Sequence, residues 1–115
     1  KVYSIERRKK MTFSFYLKEL INGKKIIIIG GHIDLRNKLS EKYKDLIIID
    51  GHNVNFDESV LRTADFVILN TSNMSHSMYY KVMPVLKNAS IHFDYIGKYT
   101  SLEKLEAQIC DLLQK

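Results

Sequence analysis

The feature that most constrains this chain is a run of four isoleucines, Ile26 to Ile29, that leads directly into Gly30 and Gly31. Consecutive β-branched residues are typical of a strand in a parallel sheet, because helices cover both faces of such sheets. A glycine pair after the strand lets the backbone turn sharply or approach a ligand closely. The run therefore predicts the first strand of a parallel α/β domain with a binding edge at its carboxyl end.

Short apolar runs alternate with helical patterns along the rest of the chain, as in repeated βα units. The predicted strands cover residues 26–30, 45–50, 65–70 and 90–96. Helices are predicted after the first strand, over about 56–63 behind Asn55, from about Ser75, and after a capping box of Thr100 and Glu103. Right-handed crossovers favour the strand order 2-1-3-4. The predicted fold is a three-layer flavodoxin-like or Rossmann-like parallel sheet with a basic lead-in helix.

The charge of the chain is concentrated at its start. Residues 1–25 hold eight basic and two acidic residues, a net charge of +6, whereas the remainder holds 10 basic and 11 acidic residues, a net charge of −1. Residues 1–23 are therefore expected to form a basic amphipathic arm or linker, ahead of a Rossmann-like domain over residues 24–115. The arm is either a solvated lead-in or a surface for nucleic acid or an acidic partner protein.

Cysteine content and hydropathy indicate the compartment. A lone Cys110 excludes an internal disulfide framework and fits a reducing environment. No stretch approaches the roughly 18 apolar residues of a membrane span, and the first residues do not resemble a signal peptide. The sequence therefore predicts a cytoplasmic protein with no membrane partner. Assembly into a homo-oligomer is left open.

Ligands of parallel α/β sheets bind outside the carboxyl ends of the strands, where the winding reverses. This rule gathers ten candidate ligand-binding residues at the ends of the first three strands: Gly30, Gly31, His32, Asp50, Gly51, Asn70, Thr71, Ser72, Ser75 and His76. The fourth strand adds Gly97, Lys98, Tyr99 and Thr100. Glycine amides, hydroxyls and helix N-termini together favour a phosphate or carboxylate ligand.

Asp50 lies 20 residues after Gly30, where dinucleotide-binding folds keep an acid for ribose hydroxyls. The alternative is that this aspartate caps a turn. The full G-x-G-x-x-G fingerprint is absent, because positions 32 and 35 are His and Leu. A dinucleotide site is therefore only one of two interpretations of Asp50.

Three of the four histidines, His32, His52 and His76, are expected at the same edge. They could bind Zn²⁺ or another transition metal, or one could act as a general acid or base. Their spacing matches no metal motif, so no metal is assigned beyond this alternative. His76 follows Ser75 at a helix start, where a neutral imidazole can donate to a ligand oxygen or serve as a cap. Cys110 is expected to be a small core residue, and no catalytic residue is assigned.

The segments IIIIGG, IIIDG and ADFVILNTSNMSH, with a final strand and helix, resemble the bacterial domain-of-unknown-function family numbered 2325, a small Rossmann-like domain. The resemblance covers residues 25 to about 113, with matches at Gly30, Gly31, Asp50, Gly51, Ala64, Asp65, Ser75 and His76. The family often has a histidine just before the aspartate of its second motif, whereas this chain has Ile49 there and His52 two places after it. The resemblance implies a fold and a site but no chemistry.

The sequence favours a sensory or regulatory domain that binds a small anion, such as a nucleotide or phosphorylated metabolite. Gly30 and Gly31 would offer amides, Asp50 would accept from a hydroxyl, and Thr71, Ser75 and His76 would hold the anion. Two other classes stay open. One is a histidine-dependent enzyme, with or without a metal, and the other is an interaction module that docks nucleic acid or protein through residues 1–25. No cofactor is assigned.

Overall fold

A computed structural model describes residues 15–99 and 101–114 of the chain. The strands are β1 (Ile26–Gly30), β2 (Ile47–Ile49), β3 (Phe66–Asn70) and β4 (Phe93–Ile96). The helices are α1 (described over residues 15–21), α2 (Ile33–Lys42), α3 (His76–Asn88) and α4 (Leu102–Leu113). Two short 3-10 helices cover Glu58–Thr63 and Thr71–Asn73. Among the described residues, no helix is long and apolar enough to cross a bilayer.

The four strands form one parallel sheet in the order β2-β1-β3-β4, which confirms the predicted architecture. All five residues of β1 are buried. Ile26 and Ile28 pack with α1, α2 and α4 on one face of the sheet. Ile27 and Ile29 pack with α3 and the first 3-10 helix on the other face. The run of four isoleucines is therefore explained by a central strand that is covered on both sides.

Two of the predicted helix starts shift by one or two residues. The helix expected over 56–63 behind Asn55 is instead the 3-10 helix Glu58–Thr63, capped by Asp57, whose side chain accepts from the Ser59 amide over 3.0 Å. Helix α4 is capped by Ser101 rather than by the predicted box of Thr100 and Glu103. Thr100 itself lies outside the described residues. In both cases the serine or aspartate that directly precedes the first helical residue acts as the cap in place of the predicted residue.

Helix α1 contributes to the core of the domain. Leu17 and Ile21 are at most 2% exposed and pack in the same cluster as α2 and α4, whereas Phe15 and Tyr16 lie exposed. The folded domain therefore includes Leu17, which lies ahead of the expected boundary at residue 24. The earlier part of the expected arm, residues 1–14, lies outside the described residues.

Cys110 is buried on the inner side of α4 and has a 4% exposed side chain. Burial, with a smaller contribution from the nearby charges of Asp111 and Glu106, raises the pKa of the Cys110 thiol to about 11. The thiol is therefore protonated and shielded at neutral pH. This environment is that of a core residue, as the sequence indicated, and not of a nucleophile.

Candidate functional site

The glycines at the carboxyl ends of β1 and β2 lie against the chain's own backbone. A Cβ atom on Gly30 would lie 2.3 Å from the carbonyl oxygen of Asn70, and one on Gly51 would lie 2.2 Å from that of Asn73. The amide of Ser75 also donates to the carbonyl of Gly51 over 3.0 Å. The segment that follows β3 is therefore packed directly on these two glycines. Direct ligand contacts by Gly30 and Gly51 stay a prediction.

A cleft of about 280 Å³ opens at the carboxyl ends of β1, β3 and β4. This edge includes the ends of β1 and β3, the two strands between which the winding of the sheet reverses. Its walls come from the start of α2, from the segment after β3 and from the segment after β4: His32, Asp34, Leu35, Lys38, Asn70, Ser72, Asn73, Lys98 and Tyr99. The structure therefore brings together the predicted residues His32, Asn70 and Ser72.

The β1 side of the cleft is formed by the first turns of α2. His32 caps this helix, because its Nδ1 atom accepts from the amide of Asp34 over 3.2 Å. In a neutral imidazole held this way, the ring proton lies on Nε2, which leaves Nε2–H as a donor. The side chain of His32 is 59% exposed, so this donor is accessible. His32 therefore both caps the helix and offers a hydrogen bond at the cleft.

The β3 side of the cleft is built on Asn70, which is only 7% exposed. Its Oδ1 atom accepts from the hydroxyl of Ser72 over 2.6 Å and from the Ser72 amide over 3.3 Å. Its Nδ2 atom lies beside Gly31, where an added Cβ would approach to 3.2 Å. With φ of +102°, Gly31 also adopts a backbone conformation that other residues avoid. Asn70 therefore orients Ser72 and packs closely on Gly31, where the positive φ favours glycine.

Two lysines give the cleft its charge. Lys38 comes from α2, one turn after Asp34, and Lys98 comes from the segment after β4. Within residues 15–99 and 101–114, neither lysine forms an ion pair within 4.0 Å. The lining thus carries two cations and one carboxylate when His32 is neutral. Such a surface attracts anions, because the charge of its lysines is not cancelled by a close partner.

The predicted residues at the ends of β2 and α3 have local structural partners. Asp50 accepts from the amide of His52 over 2.9 Å, and this hydrogen bond, with a smaller contribution from the charge of Arg36, lowers the pKa of the Asp50 carboxyl. Ser75 caps α3 by accepting from the Met78 amide over 3.1 Å. The sequence left the turn-capping role of Asp50 open as an alternative. It left the cap of α3 open for His76, whereas Ser75 is the residue that caps this helix.

His76 and Thr71 are exposed, and neither lines the cleft. His76 is the first residue of α3, and Thr71 begins the second 3-10 helix. Their contacts with a ligand, like those of Asp50, Gly51 and Ser75, stay predictions.

The alternative metal site has no support in the geometry. His32 and His52 take part in separate turns, beside Asp34 and Asp50 respectively. Throughout the described part of the chain, no three His, Cys, Asp or Glu side chains are grouped so that they could hold a metal ion. The trio of His32, His52 and His76 therefore does not form a cluster.

Sequence reasoning placed Lys98 and Tyr99 at the strand ends but missed four lining residues: Asp34, Leu35, Lys38 and Asn73. Asp34 and Leu35 lie four and three positions before Lys38, the spacings at which side chains meet on one face of a helix. A usable signal existed for Asp34 and Leu35, because the first turn of the helix after β1 must lie at the carboxyl edge of the sheet.

Comparisons with protein-family models, with curated proteins and with solved structures found no match to this chain. The resemblance to family 2325 therefore stays a prediction. Function has to be inferred from the chemistry of the cleft.

Proposed function

We propose that this domain binds a small phosphorylated ligand, a nucleotide or a phosphorylated metabolite, in the cleft between the ends of β1, β3 and β4, and that it serves as a sensory or regulatory domain. The observation that carries this proposal is the pair of lysines, Lys38 and Lys98, that line the cleft and have no carboxylate partner within 4.0 Å among the described residues. Lysine binds phosphate as a point charge, and two lysines suit the charge of one phosphate group.

The size of the cleft supports a compact ligand. Its volume of about 280 Å³ lies just below the roughly 300–1,000 Å³ of typical small-molecule pockets. A mononucleotide or a sugar phosphate is of a suitable size, whereas a dinucleotide is too large to be enclosed. This agrees with the absence of a G-x-G-x-x-G fingerprint after β1.

The hydrogen bonds in the cleft favour binding over catalysis. The hydroxyl of Ser72 donates to Asn70 Oδ1, and its oxygen also lies 3.4 Å from Asn73 Oδ1. The Nδ1 atom of His32 is engaged with the helix amide of Asp34. Within the described residues, His32 and Ser72 therefore do not form the nucleophile–base pair that covalent catalysis requires. A site that binds and releases an unchanged ligand suits a sensor.

The experiment is a calorimetric titration of the full chain with AMP, ADP, ribose 5-phosphate and inorganic phosphate. Lys38→Met and Lys98→Met should each weaken binding about tenfold, the effect of losing one contact to a charged group. Lys87→Met is the matched control, because Lys87 is exposed near the end of α3 and does not line the cleft. Circular dichroism of each variant checks that the fold is retained.

The His76→Ala variant tests the other predicted position of the site. If this variant loses affinity tenfold and the two lysine substitutions have no effect, the ligand binds at the start of α3 and not in the cleft. If none of the four probes binds to the folded wild-type chain, the proposed function fails.

A further inference from the structure

Building on the proposed function, we infer that the ligand is a monophosphate ester of a compact, polyhydroxylated molecule of the sugar phosphate class. Its phosphate would bind at Lys38 and Lys98, and its hydroxyls would bind at Asp34 and Ser72. The inference selects among phosphorylated ligands and assigns Asp34 as the residue that determines specificity. Three properties of the cleft carry it: its charge, its hydrogen-bonding groups and the small number of apolar residues in its lining.

The charge of the lining suits one phosphate. Lys38 and Lys98 oppose a single carboxylate, Asp34, in the same cleft. A monophosphate carries a charge of about −1.5 to −2 at neutral pH, which two lysines can balance. A diphosphate or triphosphate would place further negative charge beside Asp34, and like charges at short range repel each other.

The carboxylate of Asp34 favours a ligand that carries hydrogen-bond donors. An ionised carboxylate is an acceptor only, so it cannot hydrogen-bond to an ionised phosphate oxygen. Its side chain is 76% exposed and is 3.9 Å from the His32 ring, so its oxygens remain accessible. A ligand hydroxyl is such a donor. The Ser72 oxygen can accept from a second hydroxyl, because its own proton is directed to Asn70.

Apolar residues are few in the lining of the cleft. Two of the nine lining residues are of this kind, Leu35 and Tyr99, and both side chains are partly buried against the core cluster. The hydroxyl of Tyr99 is held by Gln108 of α4 over 2.7 Å. A nucleobase needs a broad flat surface for stacking, whereas a sugar needs mainly polar partners. The lining therefore suits a sugar phosphate better than a nucleotide.

The test compares ribose 5-phosphate, inorganic phosphate, AMP and ADP by titration of the full chain. Ribose 5-phosphate should bind at least about tenfold more tightly than the other three probes. Asp34→Asn should weaken binding of ribose 5-phosphate at least about threefold and strengthen binding of inorganic phosphate, because it removes both an acceptor and a repulsive charge. Asp45→Asn, an exposed aspartate in the turn before β2, should change neither affinity.

AMP or ADP binding at least as tightly as ribose 5-phosphate would overturn this inference and leave the proposed function intact. An Asp34→Asn variant whose two affinities move together, or do not move, would also overturn it. Failure of all four probes to bind would reject the proposed function as well, so the two failures are distinguishable.

Discussion

Three glycines of this chain have three different environments. Gly51 is packed against the backbone at Asn73, with space for no side chain. Gly23 has open space around it but a φ of +75°. Gly97 has open space and no such backbone requirement. Glycine is therefore required for close packing at the first position, for backbone conformation at the second and for neither reason at the third.

Substituting these glycines by alanine should separate steric from conformational effects. Gly51→Ala should lower the free energy of unfolding by about 1–3 kcal/mol, the typical cost of overpacking. Gly23→Ala should cost about 1 kcal/mol through strain at positive φ, and Gly97→Ala should change stability by less than about 0.5 kcal/mol. Urea unfolding followed by circular dichroism measures all three. Equal stability of the Gly51 and Gly97 variants would contradict the close packing.

At the scale of elements, the sequence patterns of the strands and of the later helices were sufficient to predict the fold. Burial on both sides of β1 is encoded locally, because every residue of Ile26–Ile29 is β-branched. The part of the cleft that was predicted consists of residues at or directly after strand ends, because the end of a strand fixes where the next residues lie. The lining residues of α2, such as Lys38, were missed because the direction of a helix face depends on how the helix packs on the sheet.

Helix α1 was assigned to an arm for a related reason. Its inner face consists of Leu17, Leu20 and Ile21, but the exposed residues Phe15 and Tyr16 are also apolar, so the local pattern does not show which face is buried. Their burial depends on contact with α2 and α4, which sequence spacing does not reveal.

The contribution of α1 to stability can be measured with a matched pair of variants. Leu17→Ala should lower the free energy of unfolding by about 2–5 kcal/mol, because Leu17 is fully buried and its removal leaves a cavity. Phe15→Ala should have an effect below about 0.5 kcal/mol, because Phe15 is 64% exposed. A truncated chain starting at Ile21 should lose at least as much stability as Leu17→Ala. If both substitutions are neutral, the helix does not belong to the core.

At the scale of the whole molecule, Cys110 can report how the core opens. Its thiol is enclosed on α4, beside a buried carboxylate of Glu106 that pairs with Lys42 of α2 over 2.7 Å. Contact between these two helices closes the core on one face of the sheet. Reagents should therefore reach Cys110 only when this contact is broken.

Alkylation of Cys110 by iodoacetamide at pH 8 should be at least about a hundredfold slower in the native chain than in urea. The thiolate is the reactive form, and a rise of the thiol pKa from 9.0 to about 11 lowers the thiolate fraction by that factor. The raised pKa favours the folded state while the thiol is protonated. This stabilisation should be complete below pH 9 and lost as the pH rises through 11, which urea unfolding of wild type and Cys110→Ala can follow. Equal alkylation rates in both states would show that the thiol is accessible.

The central position of β1 also has a consequence for synthesis. The ribosome makes β1 before both of its neighbours, and the second of these, β3, is complete only at Asn70. Until then four consecutive isoleucines have no complete sheet to join, and uncharged β-branched segments of this kind readily pair with other chains. Lys24 and Lys25 directly precede the run. Their charges would oppose such pairing and act as gatekeepers against aggregation while the nascent chain is incomplete.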